Sequence, residues 1–195
     1  MNFIKTIFKN RVRVLMLVLM LTICSTFTYK LISKNIINNK FEANNVTAEL
    51  PIHIKIPSIN VDSLIEKVGI TKDGAMDSPI SPSKAGWYEK GPRPGEMGNA
   101  VIDGHSGWKN NIPAIFDNLY KLKIGDKIYV EGSTGEVITF VVRESKKYKF
   151  TDDTTDVFIS NDSGNHLNLI TCTGEWNDEY QGRLERLVVF ADIEI

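Results

Sequence analysis

The sequence predicts an all-β domain, closed or sandwiched, carried behind one membrane-spanning helix. Three observations predict it. Short runs with strand character recur from residue 51 to 195, with Gly, Pro, Asn and Asp clusters between them. Only one stretch, IPAIFDNLYKL at 112–122, hints at a helical turn or two. Ahead of both, Val14 to Tyr29 carries no charge in sixteen residues. A chain of 195 residues fits one domain with an appendage, and 42 % hydrophobic with 24 % charged residues can build a core. The net charge of −1 argues against a nucleic-acid partner, which calls for a basic surplus.

Residues 1–13 carry Lys5, Lys9, Arg11 and Arg13 and no acid, and read as a cytoplasmic N-terminus. The uncharged run extends through Leu31 and Ile32 if Lys30 snorkels, which gives an anchor at 14–32. A bilayer-crossing helix needs about 20 apolar residues, with a lower limit of about 17. A cleavable signal would need small residues in an A-x-A-like pattern after the apolar core, and STFTYKLISK lacks that pattern. Cys24 follows the bulky Ile23, which fits a plain membrane residue better than a lipidated one. The charge asymmetry makes the chain a single-pass cell-membrane protein, with everything after the span extracytoplasmic. Residues 33–50, rich in Asn, read as a stalk that only spaces.

The soluble part, 51–195, opens with IHIKIP, where isoleucines alternate with His53 and Lys55 in strand period. Further strands are expected at 99–103, 127–132, 136–142, 167–172 and 186–195, with weaker ones near VDSLIEKVG and TTDVFIS. Closing the sheet would remove its exposed edges.

Cys172 ends the apolar run LNLITC and meets the polar TGEWNDE. It cannot pair with Cys24 across a membrane, and an unpaired thiol outside the cell needs a reason. Burial as a small apolar side chain is the bland reason. A strand end facing a loop, where a reactive group is both held and exposed, favours nucleophilic catalysis. Such work needs a base. His53 lies on the polar side of its strand and reads as a surface residue. His166 precedes Cys172 by six residues in one strand, roughly 20 Å away. His105, in DGHSG after a strand, remains; it is 172 − 105 = 67 residues from Cys172, so only a fold can join them. The developing oxyanion needs a stabiliser, and an arginine stays charged in any setting. Arg183 and Arg186 both follow Cys172 and would face opposite ways in an unbroken strand; spacing alone leaves both open. The competing reading for either is a surface salt bridge with Glu185 or Glu175.

These residues carry a resemblance. NLITC at 168–172, then a loop and RLVVFA, is similar to the cysteine signature of sortases, the cysteine transpeptidases of bacterial surfaces. GWYEKGPRPGEMGNAVIDGHSG, 86–107, resembles the segment that ends on their histidine, and its length is closer to the class D, E and F enzymes than to the pilus type. The family pattern T-L-x-T-C is met by Leu169 and Thr171, with Asn168 in place of the first threonine. The resemblance spans the soluble part. It implies a closed eight-stranded sortase-type β-barrel with short helices, in which Cys172 attacks the threonine carbonyl of an LPxTG-like sorting signal. His105 would serve as acid and base, and Arg186 would hold the substrate backbone or the oxyanion. A cell-wall amine, such as a lipid II cross-bridge, or a pilin lysine would resolve the thioacyl enzyme. No extended plug precedes the barrel, which predicts an open site. No cofactor is expected. Calcium is the one metal weighed, at TDDTTD (151–156), which lacks the spacing and glycine of a calcium loop. Two rivals stand beside this reading: a secreted, membrane-anchored cysteine peptidase that uses water, and a non-catalytic tethered binding module with a buried thiol.

Overall fold

The computed structural model describes Lys30 and residues 49–195 apart from 109, 111, 181 and 195. The expected span at 14–32, apart from Lys30, and nearly all of the expected stalk lie outside these residues. Among the described residues, no helix is long and apolar enough to cross a membrane.

The strands are β1 (Pro51–Ile56), β2 (Val61–Val68), β3 (Ala85–Tyr88), β4 (Gly98–Gly104), β5 (Lys127–Gly132), β6 (Val137–Lys149), β7 (Asn165–Asn177) and β8 (Gly182–Ile193). They close into a barrel in the order β1-β2-β3-β4-β7-β8-β6-β5. Alternation supplies the interior: Ile54 and Ile56, Ala100 and Ile102, Leu167 and Leu169, Leu187 and Val189 all point into one core. Each large aliphatic side chain so buried contributes roughly 1.5–3 kcal/mol. β4 and β7 are parallel neighbours, and β8 lies antiparallel beside β7. The opposite face of β7 and β8 is not bare. Val188 and Phe190 form a second, outer cluster with Tyr148 of β6 and Val157.

The closed eight-stranded barrel agrees with the expected fold, and two local readings differ from it. Ala85–Tyr88 is a strand that alternation does not reveal, because it is four residues long and includes Gly86. It pairs parallel to β2 and antiparallel to β4. A Cβ on Gly86 would lie 2.7 Å from Val68 Cγ1, so this strand needs its glycine for close approach. TTDVFIS is not a strand but holds one helical turn, Thr155–Phe158, whose Val157 is buried against the sheet. A short apolar run does not distinguish the two by period. IPAIFDNLYKL supplies a 3-10 turn, Leu119–Lys121, and Phe116 and Leu119 join the barrel core.

Candidate active site

Cys172 lies on the outer face of β7, on the side of Ile170 and away from the inward Thr171. Thr171 is buried and its hydroxyl donates to the Gly104 carbonyl at 2.6 Å, which ties β7 to the last residue of β4. Across the antiparallel pair, Cys172 stands opposite Arg186, and Arg186 in turn stands opposite Tyr148. On the other side the parallel register pairs Asp103 with Ile170. His105 is two residues beyond Asp103, as Cys172 is two beyond Ile170, so the two fall at one level. Ser106 fixes this, because its hydroxyl donates to the Cys172 carbonyl. Cys172 of β7 thus stands beside Arg186 of β8 in one cross-strand row, and His105, the residue that follows β4, falls level with it.

The groups are held by backbone rather than by salt bridges. His105 Nε2 donates to the Pro79 carbonyl at 2.6 Å, and its ring tilts against Trp108 with centroids 4.4 Å apart. In the neutral ring the lone pair then lies on Nδ1. Arg186 Nη1 donates to the carbonyls of Arg183 and Glu185 at 2.8 and 3.0 Å. Arg183 Nη1 donates to the Gly174 carbonyl at 2.8 Å. Neither arginine makes the salt bridge with Glu175 or Glu185 that the sequence allows, among the described residues. Burial pushes the Cys172 thiol above its ordinary value; Arg186 opposes that, Asp103 adds to it, and Arg183 opposes it again. Burial thus favours the neutral form of this thiol over the thiolate.

Cys172 sits between two hollows. One is a groove of about 460 Å³ that runs over the outer face past Asp103, Ile170, Arg186 and Val188 and is walled by Met76, Tyr88 and Phe158. The other, of about 520 Å³, lies on the flank of Ser106, Trp108, Asp117, Tyr120 and Arg183. The arginines thus divide between the hollows. Arg186 shares the row and the groove with Cys172, while Arg183, opposite Trp176 beyond a register shift in β7, borders the other flank. The charges of both arginines lower the Cys172 thiol, although the two side chains border different hollows.

The remaining predicted positions separate cleanly. His53 Nε2 bonds Asp62 at 2.8 Å, far from this chemistry in the β1–β2 hairpin. His166, in β7 with Cys172, is clamped between Asp162 and Asp192 at 2.8 and 2.6 Å. The acids of 151–156 serve locally: Asp152 accepts from the Lys149 amide, Asp153 from Thr155, and Asp156 from Tyr148. Among the described residues no cluster of His, Cys, Asp and Glu is arranged to hold a metal. The open site is corrected in part. The segment after β2 brings Met76 and Ser78 to the groove and Pro79 onto His105. Nothing in its pattern marks this segment. Asp103, by contrast, had a visible signal: it shares strand parity with His105.

A profile of the sortase domain matches residues 54–194. No curated protein matches the chain. Among solved structures, the chain is similar to sortase C-1 from Actinomyces oris, with 26% identity, TM-score 0.58, and 74% of this chain and 75% of that one covered. It is similar to a Clostridium perfringens sortase D5 transpeptidase, with 27% identity, TM-score 0.56, and 80% and 89% covered. It also resembles sortase C1 from Streptococcus agalactiae, with 25% identity, TM-score 0.58, and 74% and 67% covered.

Proposed function

Since the chain belongs to the sortase family of cysteine transpeptidases, we propose that it cleaves an LPxTG-like sorting signal at Cys172 and hands the acyl group to a cell-wall or pilin amine. The observation that carries this reading is that Cys172 stands opposite Arg186 across β7 and β8, with His105, just past the end of β4, level with it and the neighbouring Ser106 bonded to the Cys172 carbonyl. The peptide lies in the groove beside Arg186. The Cys172 sulfur attacks the scissile carbonyl while its proton passes to His105 Nδ1. The carbonyl oxygen becomes an oxyanion, which the Arg186 guanidinium stabilises. The intermediate collapses: the C–N bond breaks, and His105 returns the proton to the leaving amine. A thioester remains on Cys172. The acceptor amine then enters from the flank of Ser106 and Arg183 and attacks the thioester. His105 takes a proton from it, the C–S bond breaks, and His105 gives that proton to the leaving sulfur, which restores the thiol. Thiol, imidazole and guanidinium supply every group that this sequence of steps uses.

The same reading places residues 14–32 as a membrane anchor, with residues 1–13 in the cytoplasm, 33–50 as a stalk and the barrel outside. The support is the basic start, the uncharged run and the missing cleavage pattern. Membrane fractionation tests it; a mature protein beginning after about residue 25 and free in the medium overturns it. For the chemistry, the full-length chain is incubated with a panel of sorting peptides, with and without an amine, and products are identified by mass. The expected product is a peptide–amine conjugate that Cys172→Ala does not form. Hydrolysis that no amine diverts would make the protein a peptidase instead.

A further inference from the structure

Asp103 is two residues before His105 and faces the same side of the sheet, on the floor of the groove that also holds Cys172 and Arg186. We propose that Asp103 is a specificity-determining residue, selecting sorting peptides whose side chain near the cleaved bond carries a hydrogen-bond donor (a hydroxyl, amide or ammonium). The proposal rests on the transpeptidase reading of this groove.

Position comes first. Asp103 pairs in register with Ile170, one pleat repeat from the row of Cys172 and about 6.6 Å along the strand. An extended peptide with its carbonyl at Cys172 brings the side chain of a nearby residue over that level. Around it the groove is largely apolar, built from Met76, Tyr88, Val157, Phe158, Ile170 and Val188. On the β3 side its register partner is Gly86, which offers no side chain.

A carboxyl in such a place is costly, and its neighbours offset that cost only in part. Burial raises its pKa; a hydrogen bond from the Ser78 side chain, the charge of His105, the Gly104 amide and the charge of Arg186 each pull it back, and burial wins. An ionised carboxylate has about four lone-pair sites, so Ser78 leaves capacity for a further donor. Asp103 does not serve the nucleophile. Its charge raises the Cys172 thiol and so works against thiolate formation. A group that burdens both its own burial and the attacking sulfur is accounted for by a ligand that needs it. An apolar side chain laid over Asp103 would strip its water and return no hydrogen bond, whereas a donor would satisfy it.

The test uses the full-length chain and a peptide set in which each of the three positions before the cleaved bond is in turn leucine, serine, glutamine or lysine. kcat/KM is measured for the wild type, Asp103→Ala and Asp103→Asn. At one position the wild type should prefer a donor side chain over leucine by about tenfold or more, and Asp103→Ala should shrink that ratio below about threefold. Asp103→Asn keeps the shape and one acceptor oxygen but loses the charge and replaces the other oxygen by a donor. It should lower the lysine-to-glutamine ratio, and it decides the matter if the alanine variant does not fold. An active wild type whose preferences both variants leave unchanged overturns this inference alone. A wild type that processes no peptide overturns the transpeptidase reading and this inference with it.

Discussion

At the residue scale, burial raises the pKa of the Cys172 thiol. Cys172→Ala should abolish peptide cleavage while unfolding within about 1 kcal/mol of the wild type, since it removes one small atom from a half-buried position. Cleavage by a clean preparation of that variant would end the catalytic reading. Because burial raises the thiol, iodoacetamide labelling of Cys172 in the folded protein should climb at higher pH than labelling of the urea-unfolded chain. A coincident profile would mean that the sulfur is not desolvated. The two arginines should part company in kinetics. Arg186 shares the row with Cys172, and replacing its planar fork by an ammonium, Arg186→Lys, should lower the cleavage rate on the order of 10²-fold, the scale of one lost oxyanion donor. Arg183 borders the opposite hollow, so Arg183→Lys should chiefly raise KM for the acceptor amine and leave cleavage within a few-fold. Initial rates with peptide and amine varied separately distinguish these outcomes.

At the element scale, the end of β4 and the middle of β7 do most of the positioning. Gly104 allows the chain after β4 to pack under Phe116 and Ile115. A Cβ there would collide with the Phe116 ring and lie 2.7 Å from Ile115 Cγ2. Gly104→Ala should therefore destabilise by about 1–3 kcal/mol through overpacking and lower turnover as well, because His105 is the next residue. Urea unfolding and activity, measured together, check it; loss of neither would show that the mouth of the barrel yields easily. Asn168, where the family pattern has threonine, has a structural use. It is fully buried, and its Nδ2 donates to the Val157 carbonyl at 2.7 Å, fixing the helical turn that walls the groove. The departure from the motif is thus matched by a contact from the segment between β6 and β7.

At the scale of the whole molecule, a second histidine couples that segment to the barrel. His166 is buried in β7, with Asp162 of the preceding loop on one nitrogen and Asp192 of β8 on the other. Burial alone would lower its pKa, but the bonds to Asp162 and Asp192 outweigh burial, and it is held above its ordinary value of 6.5. A folded pKa above the unfolded one means that the contribution is fully present below about 6.5 and fades as pH rises through the folded value. The stability of the wild type should therefore fall between about pH 6 and pH 9 by more than that of His166→Gln, as read from urea midpoints at both ends. Equal slopes would mean that the clamp carries no net charge in the folded protein.

Much of this was legible in the chain before any coordinates. Strand alternation marks the core of β1, β4, β7 and β8, because period two is a local property of the residues themselves. It also puts Arg186 on one face with Val188 and Phe190, as found. The uniqueness of Cys172 outside the apolar N-terminus and the elimination of His53 and His166 needed only counting and distance along a strand. What strand lies beside which is not written in any local pattern. His105 comes level with Cys172 only because β4 and β7, far apart in sequence, pair in parallel, and the register of that pairing sets their ends side by side. The register shift that sets Arg183 opposite Trp176, and the approach of Pro79 to His105, follow from the same closure. Sequence determined which groups could do the chemistry. The tertiary structure decided which of them meet, since pairing partners and register are fixed by the burial of the barrel as a whole.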